Sequence, residues 1–309
     1  MSINSQIIRE LAKQGGFQLV GFAKAEILKA EHDNLLSWLD QKYHAGMQYM
    51  ERNTDKRSDI RKILPSVKSV ISLGMNYYTK NITENKKPGY KISRYAWGKD
   101  YHIVIQERIK FICEEIKKKD PEAELIYYVD TGPVMDKVWA KKAGLGWMGK
   151  HSNIINRKIG SWFFIANILV NRELEYSEEV GDLCGSCTRC LDACPTNAIV
   201  SDQVIDSNKC ISYLTIENKG EIRWEFKGKM EDYIFGCDIC QDVCPWNIKF
   251  STLSGIEEFK PVNGNDKITF DEVNEMDITE FNRRFSESPI KRAKFSGLMR
   301  TAIFLSNNQ

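Results

Sequence analysis

Eight of the nine cysteines in this 309-residue chain lie between Cys184 and Cys244, and their spacing is its strongest chemical signal. The first group reads Cys184-x2-Cys187-x2-Cys190-x3-Cys194-Pro195. The second reads Cys210, then Cys237-x2-Cys240-x3-Cys244-Pro245. Three thiolates at the first spacing wrap a 4Fe–4S cube, the fourth cysteine reaches across to a second cube, and the proline turns the chain away. The second group repeats that pattern with its first cysteine displaced upstream. The pairing this predicts is crossed: Cys184, Cys187, Cys190 and Cys244 on one cluster, and Cys194, Cys210, Cys237 and Cys240 on the other. A zinc site is the competing chemistry, but zinc takes four ligands, often with histidine, and the module has no histidine. The ninth cysteine, Cys113, falls on a periodic helical stretch and reads as a small core residue.

Clusters move electrons, and some 170 residues precede them, enough for a site that uses those electrons. Asp130 ends an apolar stretch and precedes Thr131-Gly132-Pro133, a place for a catalytic carboxylate or a helix cap. Gly144, Gly146 and Gly149 suggest close backbone approach to a large cofactor. They follow an expected helix rather than a strand, so they are not a dinucleotide fingerprint. The stretch from Arg94 through Trp97, Tyr101 and His102 could line a cofactor face or form a turn before a helix.

The elements that must position these residues can be read from periodicity. Strands are expected at 18–23, 69–78, 125–129 and 162–170, rich in β-branched and aromatic residues. Helices are expected from the first residues, over 103–119 and over 134–142, with a loop over 80–90. The fold class is α+β: a helix-covered sheet, a dicluster ferredoxin-like module and a short helical C-terminal tail. The expected segments are 1–175, 176–250 and 251–309. Residues 173–181 read as an acidic linker. The tail from Ser288 reads as one basic amphipathic helix begun by Ser-Pro.

Net charge is +2, with 28% charged and 42% hydrophobic residues, ordinary for a soluble protein. No export signal or membrane-length apolar run is evident, so a cytoplasmic location with no membrane partner is expected. Disulfides are not expected there.

The chain resembles the epoxyqueuosine reductases. The resemblance rests on Val129-Asp130-Thr-Gly-Pro133, Gly144-x-Gly146-Trp147-x-Gly149-Lys150-His151-Ser152, the Cys184 run, Cys210-Ile-Ser-Tyr-Leu-Thr and Gly236-Cys-Asp-x-Cys-Gln-Asp-Val-Cys-Pro-Trp-Asn247, and extends to about residue 305. It implies cobalamin, two 4Fe–4S clusters, an external electron donor and a transfer-RNA substrate whose wobble-position epoxyqueuosine is reduced to queuosine. Asp130 falls at the family's proton donor. Arg57, Arg94, Trp97, Tyr101, His102, Lys150, His151 and Ser212 fall in the regions that contact cobalamin. Asp136 is a weaker acid candidate with an expected place on a helix surface. Asp100-Tyr-His102 is followed by Ile-Val-Ile and not by a glycine three residues on, so base-off cobalamin without a histidine ligand is expected, as the resemblance implies. The family's longer members continue into HEAT-like repeats that contact RNA; this chain stops at Gln309, leaving Lys291, Arg292 and Lys294 as its expected tail contacts. A cytoplasmic reductive dehalogenase and a non-catalytic dicluster electron carrier are the alternatives.

Overall fold

The computed structural model of the chain describes residues 3–80 and 88–306. The four expected strands form one antiparallel sheet in the order Leu19–Lys24, Ser69–Asn76, Phe163–Val170, Leu125–Tyr128. Every residue of Ser69–Asn76 is buried, which explains an apolar run instead of strict alternation. Ile71, Leu73 and Met75 point to one core, with Phe164, Ala166 and Ile168 from the neighbouring strand. Val70 and Leu169 point to another, on the opposite face.

The first face is covered by Ser5–Gln14 and Tyr101–Lys119. The longer helix places Ile105, Ile109, Ile112 and Ile116, all with no exposed surface, on one stripe at helical spacing. Burying each such side chain stabilises the fold by about 1.5–3 kcal/mol. The Asp100 carboxylate caps its N-terminus by accepting the His102 N–H at 3.0 Å. Lys117, Lys118 and Lys119 complement the dipole at its other end. Cys113 packs against this core, and burial pushes its thiol up to about 12. The opposite face carries Asp136–Lys142, whose Trp139 and Ala140 are fully buried.

A second sheet pairs Gly89–Ile92 with Tyr233–Phe235 on one side and Ile268–Thr269 on the other. It therefore draws one strand from each of the three stretches of chain. Most of the expected loop over 80–90 lies outside the described residues, and Gly89 and Tyr90 open a strand.

Two expectations are corrected. The acidic stretch is a strap, not a free linker. Ser177 donates its N–H to the Phe22 carbonyl at 2.8 Å, and its Oγ accepts the Phe22 N–H at 3.0 Å, which covers the edge of the first strand. The tail is two pieces. A 3-10 turn over Pro289–Ala293 ends at Lys294, whose φ is 59°, before Lys294–Ser306 begins a new helix. The break lets Arg292 turn toward acidic groups described below, while Leu298, Ala302 and Leu305 are buried in a third core, with Tyr90, Phe235 and Ile268 of the second sheet.

The three glycines also have a different reason. A Cβ on Gly144 would lie 2.4 Å from the Glu178 carbonyl oxygen, one on Gly146 2.1 Å from that of Ile155, and one on Gly149 2.6 Å from Ile155 Cδ1. The close approach is of chain to chain. Gly146→Ala should therefore destabilise the fold by about 1–3 kcal/mol in anaerobic urea titrations. Unchanged stability with weakened cobalamin binding would instead restore the cofactor reading.

Candidate active site and metal centre

Asp130 lies just past the strand Leu125–Tyr128 with φ 51°, a left-handed conformation that costs a non-glycine residue about 1–2 kcal/mol. Gly132 makes the turn possible, because a Cβ there would lie 2.0 Å from the Tyr128 ring. The turn brings the Asp130 carboxylate to the start of Tyr101–Lys119. Tyr101 Oη donates to Asp130 Oδ2, and His102 Nε2 stands 2.8 Å from Asp130 Oδ1. The other ring nitrogen of His102 stands 2.7 Å from Asp100 Oδ1. Burial opposes a charge on His102, but the Asp100 and Asp130 carboxylates outweigh it and the net shift is upward. Arg292 Nη2 reaches to 2.7 Å from the same Nε2. Arginine only donates, so Nε2 serves Asp130 when it carries a proton and Arg292 when it does not. The Tyr101 hydroxyl is held protonated by burial and by the adjacent Asp130 charge. The Asp130 side chain itself is 44% exposed.

This group stands at a cavity of about 630 Å³. Deeper in it lies Asp136, the first residue of its helix. Its Oδ1 accepts from Asn167 Nδ2 at 2.7 Å, and Asn167 Oδ1 accepts from Ser72 Oγ at 2.5 Å. Ser72 and Asn167 face each other across the two central strands. Burial pushes the Asp136 carboxyl up to about 7, with Asp130 adding repulsion. Its expected helix-surface role is thus corrected. Lys137, next along, donates to the Ser152 carbonyl and to Asn153 Oδ1, both at 2.8 Å, and burial lowers its pKa. His151 lines the same cavity. Burial pushes it down to about 4, so it is neutral at physiological pH, and its buried Nε2 has no hydrogen-bond partner among the described residues.

The remaining wall is sulfur. Cys194, Cys210, Cys237 and Cys240 all line the cavity. Cys184, Cys187, Cys190 and Cys244 lie elsewhere; the Cys244 thiol feels the charges of Cys184 and Cys187, and Cys190 those of Cys184 and Cys244. Cys237 in turn feels Cys210 and Cys194. The two halves repeat each other locally. Cys210 and Cys244 precede six-residue helices with the same φ of −68° and ψ of 122°, and each sulfur accepts N–H bonds from the first turn that follows. Such donors favour a thiolate. Trp147 Nε1 donates to Cys184 Sγ at 3.4 Å, and Ala198 N–H to Cys194 Sγ at 3.3 Å. Among the described residues no three His, Cys, Asp or Glu side chains converge on a single ion. A buried network ties the module to the first sheet: Ser161 N–H donates to Asn247 Oδ1 at 2.6 Å, and Asn247 Nδ2 to the Gln241 carbonyl at 2.8 Å.

Of the expected cofactor contacts, Tyr101, His151 and Ser212 line the cavity. His102 stands behind Asp130, and Arg57 is close enough to Asp136 and Tyr49 to feel their charges. Arg94, Trp97 and Lys150 do not line it. Arg94 pairs with Asp242 at 3.0 Å and stacks near Trp162, Trp97 donates to the Ile92 carbonyl, and Lys150 pairs with Asp202. Lys137 and Arg292 went unassigned to this site from sequence. Lys137 sits in a helical stretch of ordinary polarity, and Arg292 looked like part of a surface basic run; neither carries a local signal of its inward turn.

The raised pKa of His102 has a definite consequence for stability. Its contacts with the two carboxylates contribute fully below the unfolded value of about 6.5, and the contribution is lost as pH rises through the higher folded value. In anaerobic urea unfolding, the gap between wild type and His102→Gln should be widest near the lower pH and shrink as pH rises. A gap constant across that window would contradict the bridge.

Residues 183–247 match the family model described as a 4Fe-4S double cluster binding domain, and residues 57–131 the one described as Epoxyqueuosine reductase QueG, DUF1730. The epoxyqueuosine reductase of Leadbetterella byssophila is 49% identical over 97% of this chain and 98% of its own length. A crystal structure of an epoxyqueuosine reductase with an epoxyqueuosine-modified tRNA-Tyr stem loop has a TM-score of 0.92 at 29% identity, covering 98% of this chain and 80% of that one. Another, from Bacillus subtilis, has its catalytic loop swung out of the active site; its TM-score is 0.92 at 28% identity, covering 98% and 81%. With a relative this similar along nearly its whole length, the chain belongs to the epoxyqueuosine reductase family.

Proposed function

We propose that this chain reduces the epoxide of epoxyqueuosine in transfer RNA to queuosine, with cobalamin in the cavity and a 4Fe–4S cluster on each cysteine tetrad. The observation that carries the reading is the Asp130–Tyr101–His102 group facing a cavity walled by four cysteines. The residues fit such occupants. The cavity is of the size that takes large ligands, and the unpartnered His151 Nε2 offers a neutral hydrogen-bonding atom to a cofactor amide. Tyr101, His151 and Ser212 would hold cobalamin in the cavity they line.

When bound, cobalamin supplies the two-electron chemistry, and the clusters feed it one electron at a time. The net change consumes two electrons and two protons, converts the epoxide to an alkene and releases water. Asp130 delivers a proton to the departing oxygen. The Asp130 side chain is 44% exposed, open to whatever binds in the cavity. Tyr101 and His102 fix the carboxyl's direction, and protonated His102 can return a proton to it through Nε2. Exposed Lys291 and Lys294 remain available to RNA phosphate. Arg292 instead steadies His102.

The segments 1–175, 176–250 and 251–309 are assigned as cofactor-binding, cluster-binding and tail portions, although the second sheet joins them. No described helix is long and apolar enough to cross a membrane. We assign the work to the cytoplasm, where thiols stay reduced.

Asp130→Asn tests the reading. Asparagine tolerates the left-handed backbone as well as aspartate does, so folding, iron content and cobalamin binding should stay near wild type. Single-turnover epoxide reduction by the pre-reduced variant should fall about 10²–10⁴-fold, the usual contribution of general acid catalysis. A rate within a factor of about two of wild type, well short of that contribution, would remove Asp130 as the acid.

A further inference from the structure

We propose that the face built from the Pro245–Phe250 helix, the 156–160 turn and Leu253 docks a small acidic one-electron carrier protein. The carrier gives one electron to the cluster held by Cys184, Cys187, Cys190 and Cys244: it is oxidised, the cluster is reduced, and no atoms are exchanged. The proposal rests on assigning those four cysteines to one cluster.

Electrons must enter at this tetrad, because the other four cysteines line the cavity. Cys184 and Cys187 are partly exposed. Cys244 adjoins the Pro245–Phe250 helix directly, its sulfur accepting the Trp246 and Asn247 N–H groups. Trp246 packs edge-on against Trp147, which donates to Cys184 Sγ. The helix is thus the outer wall of the tetrad.

Asn247 is buried and seats the 156–160 turn against this helix; a Cβ on Gly160 would lie 2.2 Å from its Oδ1. The turn therefore borders the helix, and its tip carries exposed Arg157 and Lys158. The helix exposes Lys249 and Ile248, the latter 66% exposed, and Leu253 just beyond it is 59% exposed. Neither Arg157, Lys158 nor Lys249 forms an ion pair with another described residue; Lys249 stands over the Phe250 ring. On the adjoining loops Asp182 accepts the Cys184 N–H at 2.8 Å, Asp192 accepts the Thr188 hydroxyl at 2.7 Å, and Asp242 pairs with Arg94. The helix, the turn and Leu253 themselves carry three cationic side chains around an apolar centre and no carboxylate. That pattern suits a transient partner of opposite charge, whose approach is steered by the rim and whose small contact releases quickly.

The test uses the protein carrying both clusters. Reduced flavodoxin, an acidic carrier, is mixed with it in stopped flow, with photoreduced deazaflavin as a small uncharged reductant. Arg157→Glu/Lys158→Glu/Lys249→Glu should slow cluster reduction by flavodoxin roughly tenfold or more at low salt, as loss of steering does. Reduction by deazaflavin should be unchanged. Rising salt should slow the wild type and leave the variant nearly flat. Ile248→Ser keeps every charge and should weaken binding of oxidised flavodoxin about tenfold, through the apolar area lost. Equal flavodoxin rates in wild type and the triple variant, or unchanged binding by Ile248→Ser, would overturn the docking face. Displacement of flavodoxin by an anticodon stem loop would overturn it too, giving the face to RNA. Iron content and the deazaflavin rate report on the cluster assignment separately.

Discussion

One chain has to divide eight thiols into two sets of four without letting either set fold alone. The division we propose is by exchange: the last cysteine of each run belongs with the other run. Cys194 and Cys244 leave their own triplets, and the proline after each turns the chain away. The repeated backbone at Cys210 and Cys244 supplies N–H donors at equivalent places. The consequence for function is directional. Four of the cysteines line the cavity and the other four do not, which gives the proposed electron path an inner and an outer end. The Ser161–Asn247–Gln241 network holds it against the strand Phe163–Val170, and the cavity lies between that strand and the inner tetrad.

The cavity's acid chemistry depends on that same strand. Asn167 sits in its middle, fully buried, and with Ser72 orients Asp136. Asp130, by contrast, hangs at a strained turn and is steadied from the neighbouring helix. Half-buried Asp136 is held by the sheet with its pKa pushed up to about 7, whereas Asp130 is more open and is steadied only from the neighbouring helix. Strain at Asp130 is affordable because Tyr101, His102, Asp100 and Arg292 over-determine its position. The tail contributes the last of these, which explains why its helix breaks at Lys294.

How much of this was legible in sequence follows from the range of each signal. The cysteine spacing is local and chemically specific, so a double-cluster module could be read from it, and the family model over 183–247 agrees. The two central strands of the first sheet were legible because their apolar content reflects burial on both faces, and the half-buried edge strands because they are rich in β-branched and aromatic residues. The second sheet was not, since strands of two to four residues carry no periodicity, and their partners lie far away in sequence. The glycines at 144, 146 and 149 were correctly seen as sites of close approach, but sequence could not say that the approaching group is Glu178 or Ile155. Asp136 and Arg292 were misjudged for a common reason. Each is a charged residue in a polar stretch, where the usual outcome is exposure, and only tertiary contacts turn them inward. The family resemblance located Asp130; no local feature of Val129-Asp-Thr-Gly distinguishes an acid from a cap.

The crossing is the claim on which the inner and outer ends, the cavity and the entry face all rest. It is tested most directly by residual iron and electron paramagnetic resonance spectra of paired cysteine variants, reconstituted anaerobically. If Cys244 shares a cluster with Cys187, then Cys187→Ala, Cys244→Ala and the double variant should all keep the same single cluster, with about four irons. Cys237→Ala combined with Cys244→Ala should lose both. The reverse pattern, with Cys237→Ala/Cys244→Ala keeping one cluster and Cys187→Ala/Cys244→Ala keeping none, would contradict the account.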